Sequence, residues 1–239
     1  MTEEKTMITL RPANDRGSAH LDWLDSRHSF SFGQYHDADH MGFGPLRVIN
    51  EDWIRPGAGF PTHGHRDMEI ITYVIEGALT HEDSTGGGST IRPGDVQRMS
   101  AGTGIRHSEF NASKTAPVHL LQIWIMPDKH GIAPGYGEKH FDFDATRSAL
   151  RLIAAKDGRD GSLTIHQGAD LYAARLDAGA ALPHIPAPGR NIWIQVVAGT
   201  LTVNGTAAST GDGLALSNET EVRITASTNA EILLFDMAG

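Results

Sequence analysis

Apolar residues come along this chain in short runs, most of them alternating with polar ones and closed by Gly, Pro, Asp or Asn. "EIITYVIEGALTHED", "VHLLQIWIM", "SLTIHQGADLYAARL", "NIWIQVVAGTLTVNG" and "AEILLFDM" are of this kind. Alternation puts every second side chain on one face of an extended strand, and an unbroken apolar run suits a strand covered on both faces. No stripe with a period of about 3.6 residues continues beyond a couple of turns. The pattern therefore predicts an all-β chain. "SAHLDWLDSRH" near the start and "FDATRSAL" before Leu152 are the places for a short helix or turn.

The punctuation of these runs repeats. Gly57, Pro61 and Gly77 in the first half have the mutual spacing of Gly179, Pro183 and Gly199 in the second. "IEGALT" (75–80) is similar to "VAGTLT" (197–202), and "PGDVQRMS" (93–100) to "TGDGLALS" (210–217). Glycines at strand ends supply the positive φ that tight hairpins need, so a repeated glycine frame is a repeated β layout. The expectation is two β-barrels in tandem, residues 1–130 and 149–239. They would be joined by a Pro-, Gly- and charge-rich stretch, residues 131–148.

Composition narrows what such a chain does. There are no cysteines among its 239 residues, which removes disulfides, thiolate metal sites and cysteine nucleophiles together. A net charge of −9 argues against nucleic-acid binding through a general basic surface. No apolar run approaches the roughly 20 residues of a membrane-spanning helix, so no membrane association is expected. The acidic, polar start "MTEEKTMITL" has neither the basic region nor the apolar core of a secretion signal, which makes the cytoplasm the expected compartment.

The chemistry concentrates in the first half, where ten of the 13 histidines precede Gly131. In "PTHGHRDMEII", His63 and His65 share one face of a strand. In "SAGTGIRHSEFN", His107 and Glu109 form a second pair with the same spacing. Should both strands line one barrel, three imidazoles and a carboxylate converge. That donor set suits one divalent transition metal: Fe(II), Cu(II), Ni(II), Mn(II) or Zn(II). Four protein ligands around an octahedral ion leave positions for oxygen or substrate, which is the arrangement of a reactive ion and not of a structural one. The plainer reading of an H-x-H pair, surface or core histidine, is outweighed by the second pair and the glycine frame.

These residues also carry a resemblance. The order Gly57, His63-x-His65, Glu69, Gly77 is similar to the first motif of the cupin superfamily, and "PGDVQRMSAGTGIRHSEFN" to its second. More narrowly, "DWLDSRHSFSFGQYHD", "MGFGPLRVINED", "HGHRDMEIITYVIEG" and "MSAGTGIRHSE" resemble the pirin family, in its bacterial quercetinase-like branch. The resemblance implies an all-β bicupin of two jelly-roll barrels with one metal in the first. It also implies Glu109, two residues after the third histidine, as the fourth ligand in place of Glu69. Glu69 is then either an acceptor orienting a histidine N–H or a strand-end charge. "SAGTG" (100–104) stands where cupins usually have a Pro-containing turn and lengthens the approach to His107.

Aligned on the repeat glycines, His63 and His65 correspond to Ile185 and Ala187. Aligned on the later Gly-Asp, His107 and Glu109 correspond to Ile224 and Ala226. His184 falls one position from the ligand register, on the opposite face, so no second metal site is expected. His28, His36 and His40 lie in a stretch that could lid a pocket but read rather as hydrogen-bonded structural histidines, His81 and His119 could line the barrel but are assigned no role, and the four tryptophans read as core.

The resemblance implies a metal-dependent dioxygenase acting on a small aromatic substrate with O2, of the quercetin 2,3-dioxygenase type, with Fe(II) the leading metal and Glu109 its proton acceptor. The alternative is a metal- or redox-responsive module that binds a protein partner. A sugar isomerase or storage cupin fits less well, because it has no place for "MGFGPLRVINED". A monomer is the favoured state.

Overall fold

The computed structural model describes residues 7–239, so most of the acidic start read above as lacking an export signal lies outside the described residues. Among those residues the chain is β throughout apart from two single-turn 3-10 segments, Ala13–Asp15 and Arg159–Gly161. Among the described residues no helix is long and apolar enough to cross a membrane. "SAHLDWLDSRH" is not helical: Gly17–His20 and Leu24–His28 form an antiparallel hairpin. "FDATRSAL" is a turn.

Two compact units divide the chain, and neither is contiguous in sequence. One comprises Gly17–Phe141 with Leu163–Gln167; the other comprises residues 7–16, Asp142–Ser162 and Gly168–Gly239. Each unit thus holds a short segment from the other's stretch of the chain, which composition and spacing do not announce. The stretch 131–148, expected as a linker, contains the strand Gly135–His140, paired with Asp95–Ser100. Its Gly-Tyr-Gly-Glu-Lys-His sequence is weak in apolar residues, as suits an edge strand.

In the first unit a large antiparallel sheet runs in the order Gly135–His140, Asp95–Ser100, Glu69–Glu76, Val118–Ile125, Leu46–Ile54, Leu24–His28, Gly17–His20. A smaller sheet runs Gly59–His65, Ile105–Asn111, Leu79–Asp83, Gly88–Ile91. Between them are two separate apolar clusters. One gathers Leu24, Ile54, Val74, Leu79, Val118 and Leu120, and the other Ile70, Met99, Ala101 and Ile105. The residues between these clusters are polar.

The second unit repeats the plan. Its large sheet runs from Met7–Arg11 through Gly213–Ser217, Arg190–Ala198, Ala230–Ala238 and Ala169–Leu176 to Arg151–Ala155. Its small sheet runs Ala181–His184, Val222–Ala226, Thr200–Val203, Thr206–Ser209. One continuous apolar cluster fills this unit, including Ile192, Ile194, Leu214, Val222, Ile224 and Leu234. The repeat glycines hold equivalent turns. Gly77 has φ +84° and Gly199 φ +86°, and a Cβ there would lie 2.8 Å from the Pro117 carbonyl oxygen or 2.2 Å from that of Asn229. Only glycine meets both demands.

Strand pairing corrects the register read from the repeat. His63 stands opposite His107, and His184 stands opposite Val222. His184 is therefore the counterpart of His63, and Val222 and Ile224 are the counterparts of His107 and Glu109. The first unit has a bulge here: His107 and Glu109 span one intervening residue while their partners His63 and Phe60 span two. No bulge interrupts the second unit's pairing, where Leu182 faces Ile224 and His184 faces Val222. The extra bulge residue, and the longer "SAGTG" turn before His107, account for the shifted alignment. Ile185, the expected counterpart of His63, is 77% exposed.

Candidate metal centre and its cavity

His63 and His65 enter the first unit from the strand Gly59–His65, and His107 and Glu109 from its neighbour Ile105–Asn111. His63, His65 and His107 each offer a ring nitrogen within 4.8 Å of the other two. The Nε2 atoms of His63 and His107 are 3.1 Å apart. Two nitrogens each about 2.1 Å from one ion and at right angles lie about 3 Å apart, so this spacing is that of neighbouring ligands on a transition metal.

The lone pairs point the right way. His63 Nδ1 is 2.9 Å from the Pro61 carbonyl oxygen, to which it donates, leaving Nε2 as the free lone pair. His107 Nδ1 is 3.3 Å from His81 Nδ1, and His81 Nε2 is 3.1 Å from Asp83 Oδ2. Because a carboxylate only accepts, His81 donates from Nε2 and accepts at Nδ1. His107 then donates from Nδ1 and turns the Nε2 lone pair towards His63. Burial, with the neighbouring His63, holds His65 down to about 4. Burial and the charges of His63, His65 and His81 hold His107 down to about 3. Both rings are thus neutral and able to ligate at physiological pH.

Glu109 is 3% exposed. Gln122 Nε2 donates to its two oxygens at 2.8 and 2.7 Å, and Thr72 Oγ1 lies 3.4 Å from Oε1. Burial, aided by the charge of Asp52, pushes its carboxyl up to about 7 against the hydrogen bonds from Gln122 and Thr72. A buried carboxylate of this kind asks for a cation, which would bring its pKa down again. Its oxygen shares a tight group with His81 and His107. His63, His65 and His107 form one group able to hold a metal ion, and Glu109 joins a second group with His81 through the shared His107, a donor set that suits a divalent transition metal.

Glu69 lies elsewhere. On Glu69–Glu76 the side chains of Ile70 and Thr72 face the interior, so Glu69 has the opposite parity. It is buried, accepts from Ser100 Oγ at 2.8 Å, and lies 3.2 Å from His166 Nδ1. It does orient a histidine, but His166 is not one of the converging three. Sequence reasoning placed His81 in the barrel lining without a role and missed Asp83. Both side chains are fully buried, and Asp83 is aimed by Thr85 and Gly87 as well as by His81. Burial alone would raise Asp83, but these hydrogen bonds outweigh it and hold it below the usual carboxylate range. The one signal in sequence is the i, i+2 spacing of His81 and Asp83, which alternation alone makes common.

A cavity of about 620 Å³ opens over His63, His65, His107 and Glu109. Its walls are largely apolar and aromatic, among them Leu24, Phe32, Phe60, Ile70 and Trp124, and no lysine or arginine lines it. Trp124 meets His65 edge-on with centroids 4.9 Å apart. The volume and lining suit one flat, drug-sized molecule. The far wall carries Ser26, His28, Asn50 and Asp52. His28 was expected as structural and is hydrogen-bonded, but it faces this cavity. Asp52 is pushed up to about 7 by burial and the nearby Glu51, against a hydrogen bond from Ser26 and the charge of His119.

Comparison with known proteins agrees with this anatomy. Residues 9–125 match the family model described as Pirin, and residues 152–237 match that of the quercetinase C-terminal cupin domain. A quercetin 2,3-dioxygenase of Escherichia coli (strain K12) is 51% identical over 97% of this chain and 99% of its own. A pirin-like protein of Caulobacter vibrioides is 40% identical over 97% of this chain and 100% of its own. The crystal structure of the bacterial pirin YhhW from Escherichia coli in complex with nickel(II) superposes with a TM-score of 0.93, at 50% identity, covering 97% of this chain and 99% of that one. With its two-barrel all-β architecture and these matches along nearly its whole length, the chain belongs to the pirin family of the cupins.

Proposed function

We propose that this protein is a metal-dependent dioxygenase that opens the heterocyclic ring of a flavonol such as quercetin with O2 and releases carbon monoxide. The observation that carries the reading is the placement of three converging imidazoles, with the buried Glu109 carboxylate beside His107, at a largely apolar cavity lined by no lysine or arginine. The relatives named quercetin 2,3-dioxygenase support it.

In this reading His63, His65, His107 and Glu109 hold one divalent transition metal. Fe(II) is the leading candidate and Cu, Ni, Mn or Zn the others; the nickel-bound relative supports a site of this kind without fixing the native ion. The bound metal supplies a Lewis acid for the substrate's 3-oxygen and a place for O2. The protein does the rest. Phe32, Phe60 and Trp124 hold the ring system flat and exclude water. Glu109 accepts the 3-hydroxyl proton on a carboxylate oxygen, and Gln122 keeps that oxygen in place. His81 and Asp83 hold His107 in the ligating tautomer. The compartment in this reading is the cytoplasm, and the working form is a monomer.

The test is oxygen uptake with quercetin by protein loaded in turn with iron, copper, nickel or manganese. Saturable, metal-dependent uptake that disappears in His107→Ala is the expected result. One metal bound per chain with no uptake from any of them would sink the oxygenase and leave the metal-responsive, protein-binding module as the alternative.

A further inference from the structure

The cavity has two polar ends, and the reaction above uses only one. On the wall away from the histidines, Ser26 and His28 on the strand Leu24–His28 stand directly opposite Asp52 and Asn50 on Leu46–Ile54. All four residues are 2–4% exposed yet line the cavity. Their hydrogen bonds run one way. Ser26 donates its hydroxyl proton to Asp52, so it accepts from His28 Nε2, 2.9 Å away. The donors of Ser26 and His28 Nε2 are thereby spent on the protein. Asn50 Oδ1 is buried, and no donor among the described residues reaches it. A buried acceptor without a donor is costly, by an amount comparable to a hydrogen bond.

We infer that Ser26, His28, Asn50 and Asp52 form a second recognition site in the cavity, which reads hydroxyl groups on the end of an uncharged aromatic substrate remote from the metal. This wall presents the Asn50 side-chain amide and the Asp52 carboxyl, two residues apart on one strand face and so about 7 Å from each other. A phenolic hydroxyl donates to either. A carboxylate is excluded by charge, since it would place a third anionic group near Asp52 and Glu109 in a cavity lined by no lysine or arginine.

The spacing also fits. Asn50 pairs across the sheet with Gln122, the residue that holds Glu109, and His28 lies one strand beyond Asn50. Two strand spacings are about 10 Å, the reach of two fused rings with a third attached. The hydroxyls of such a substrate that lie away from the metal are thereby assigned to Asn50 and Asp52. This inference rests on the flavonol reading for the choice of probes, but its test does not require turnover.

The test is anaerobic equilibrium binding of quercetin and of 3-hydroxyflavone to the nickel-loaded protein. 3-Hydroxyflavone keeps the metal-facing hydroxyl and lacks the others. The wild type should bind quercetin at least about tenfold more tightly than 3-hydroxyflavone, the worth of a hydrogen bond or two. In Asn50→Leu, and separately in Asp52→Leu combined with Ser26→Ala, the ratio of the two Kd values should fall towards one. Asn50→Leu is nearly isosteric, so the inference stays testable if the double variant does not fold. A wild-type ratio near one, or a ratio unchanged in Asn50→Leu, overturns the site. Preferential binding that vanishes in Asn50→Leu, with no aerobic oxygen uptake by the wild type, would keep the site and remove the oxygenase.

Discussion

The two barrels share one plan and fill it with opposite chemistry. Across the large sheet of the first unit, cross-strand neighbours form an unbroken polar row: His28, Asn50, Gln122, Thr72 and Gln97. The same row in the second unit reads Leu152, Tyr172, Leu234, Ile194 and Leu214. On the small sheets, His107, Glu109 and His81 are matched by Val222, Ile224 and Val203. The second unit therefore closes over a continuous apolar core, whereas between the sheets of the first two apolar clusters flank a polar middle. A β-sandwich tolerates this because strand pairing satisfies the backbone whatever the side chains are. What distinguishes a site from a core is only which residues face inward, and the polar version persists because its members hydrogen-bond one another and fit a cation.

One member of the ligand set keeps a polar counterpart in the second unit. His184 holds the place of His63, but its Nε2 lies 2.7 Å from Asp236, which also receives the Arg190 guanidinium. Burial alone would raise Asp236, yet the hydrogen bonds from His184 and Arg190 hold it below the ordinary range. With Val222 and Ile224 beside it in place of His107 and Glu109, a lone imidazole already paired to a carboxylate is not a metal site.

The sharpest way to break the contrast is to give the first barrel the second's residue. His107→Val should take metal content from about one ion per chain to none and abolish oxygen uptake, while the β circular dichroism spectrum is kept. Retained metal by elemental analysis would refute the ligand assignment. The reverse exchange is next in size. Ile224→Glu places one carboxylate in an apolar core with no partner, and should cost about 4 kcal/mol in urea unfolding without any gain of metal. A neutral effect would mean that the second barrel is wetter than its packing indicates.

A smaller effect is expected behind the ligands. His81→Val, copying Val203, should weaken metal affinity about 10- to 100-fold, because His107 loses the acceptor that fixes its tautomer. Asp83→Asn should do the same to a lesser degree, since it removes charge but keeps the shape. Competition with a chelator measures both, and unchanged affinity in His81→Val would make the Asp83–His81–His107 chain a packing feature only.

The legibility of these features in sequence followed their range. The all-β class was readable because alternation is local, and the three histidines because two i, i+2 pairs sit within a repeated glycine frame. His81 and Asp83 were not, since their importance depends on lying opposite Glu109 and His107 across a strand pair. The far wall of the cavity was hidden for the same reason: Ser26 meets Asp52 only through a register set 26 residues away. Glu69 was misplaced by parity, because nothing local states which of two alternating faces turns inward. The bulge beside Thr62 shifted the second barrel's alignment by one residue, and an irregularity of that size changes which face a side chain occupies.

The smallest effect separates the barrels by pH. Asp52 faces the cavity where its counterpart in the second unit is the buried Ala174. In the folded protein burial raises its carboxyl to about 7, from 3.8. Between those values the unfolded chain has released the proton and the folded chain retains it, so folding takes up a proton and stability falls as pH rises. Above about 7 the loss is complete, and below about 4 it is absent. Asp52→Asn removes the titrating group while keeping an oxygen that accepts from Ser26. The metal-free variant should therefore be more stable than the metal-free wild type at pH 8, by something on the order of 2 kcal/mol. The advantage should shrink to nothing as the pH is lowered to 4. Urea unfolding of both proteins across that range measures it. A variant that is less stable at every pH would show that Asp52 is held by its partners as a structural group. A variant whose advantage grows from pH 4 to about 7 and then levels off would show that this carboxyl is kept in the cavity at a cost to folding, as a recognition residue is and a core residue is not.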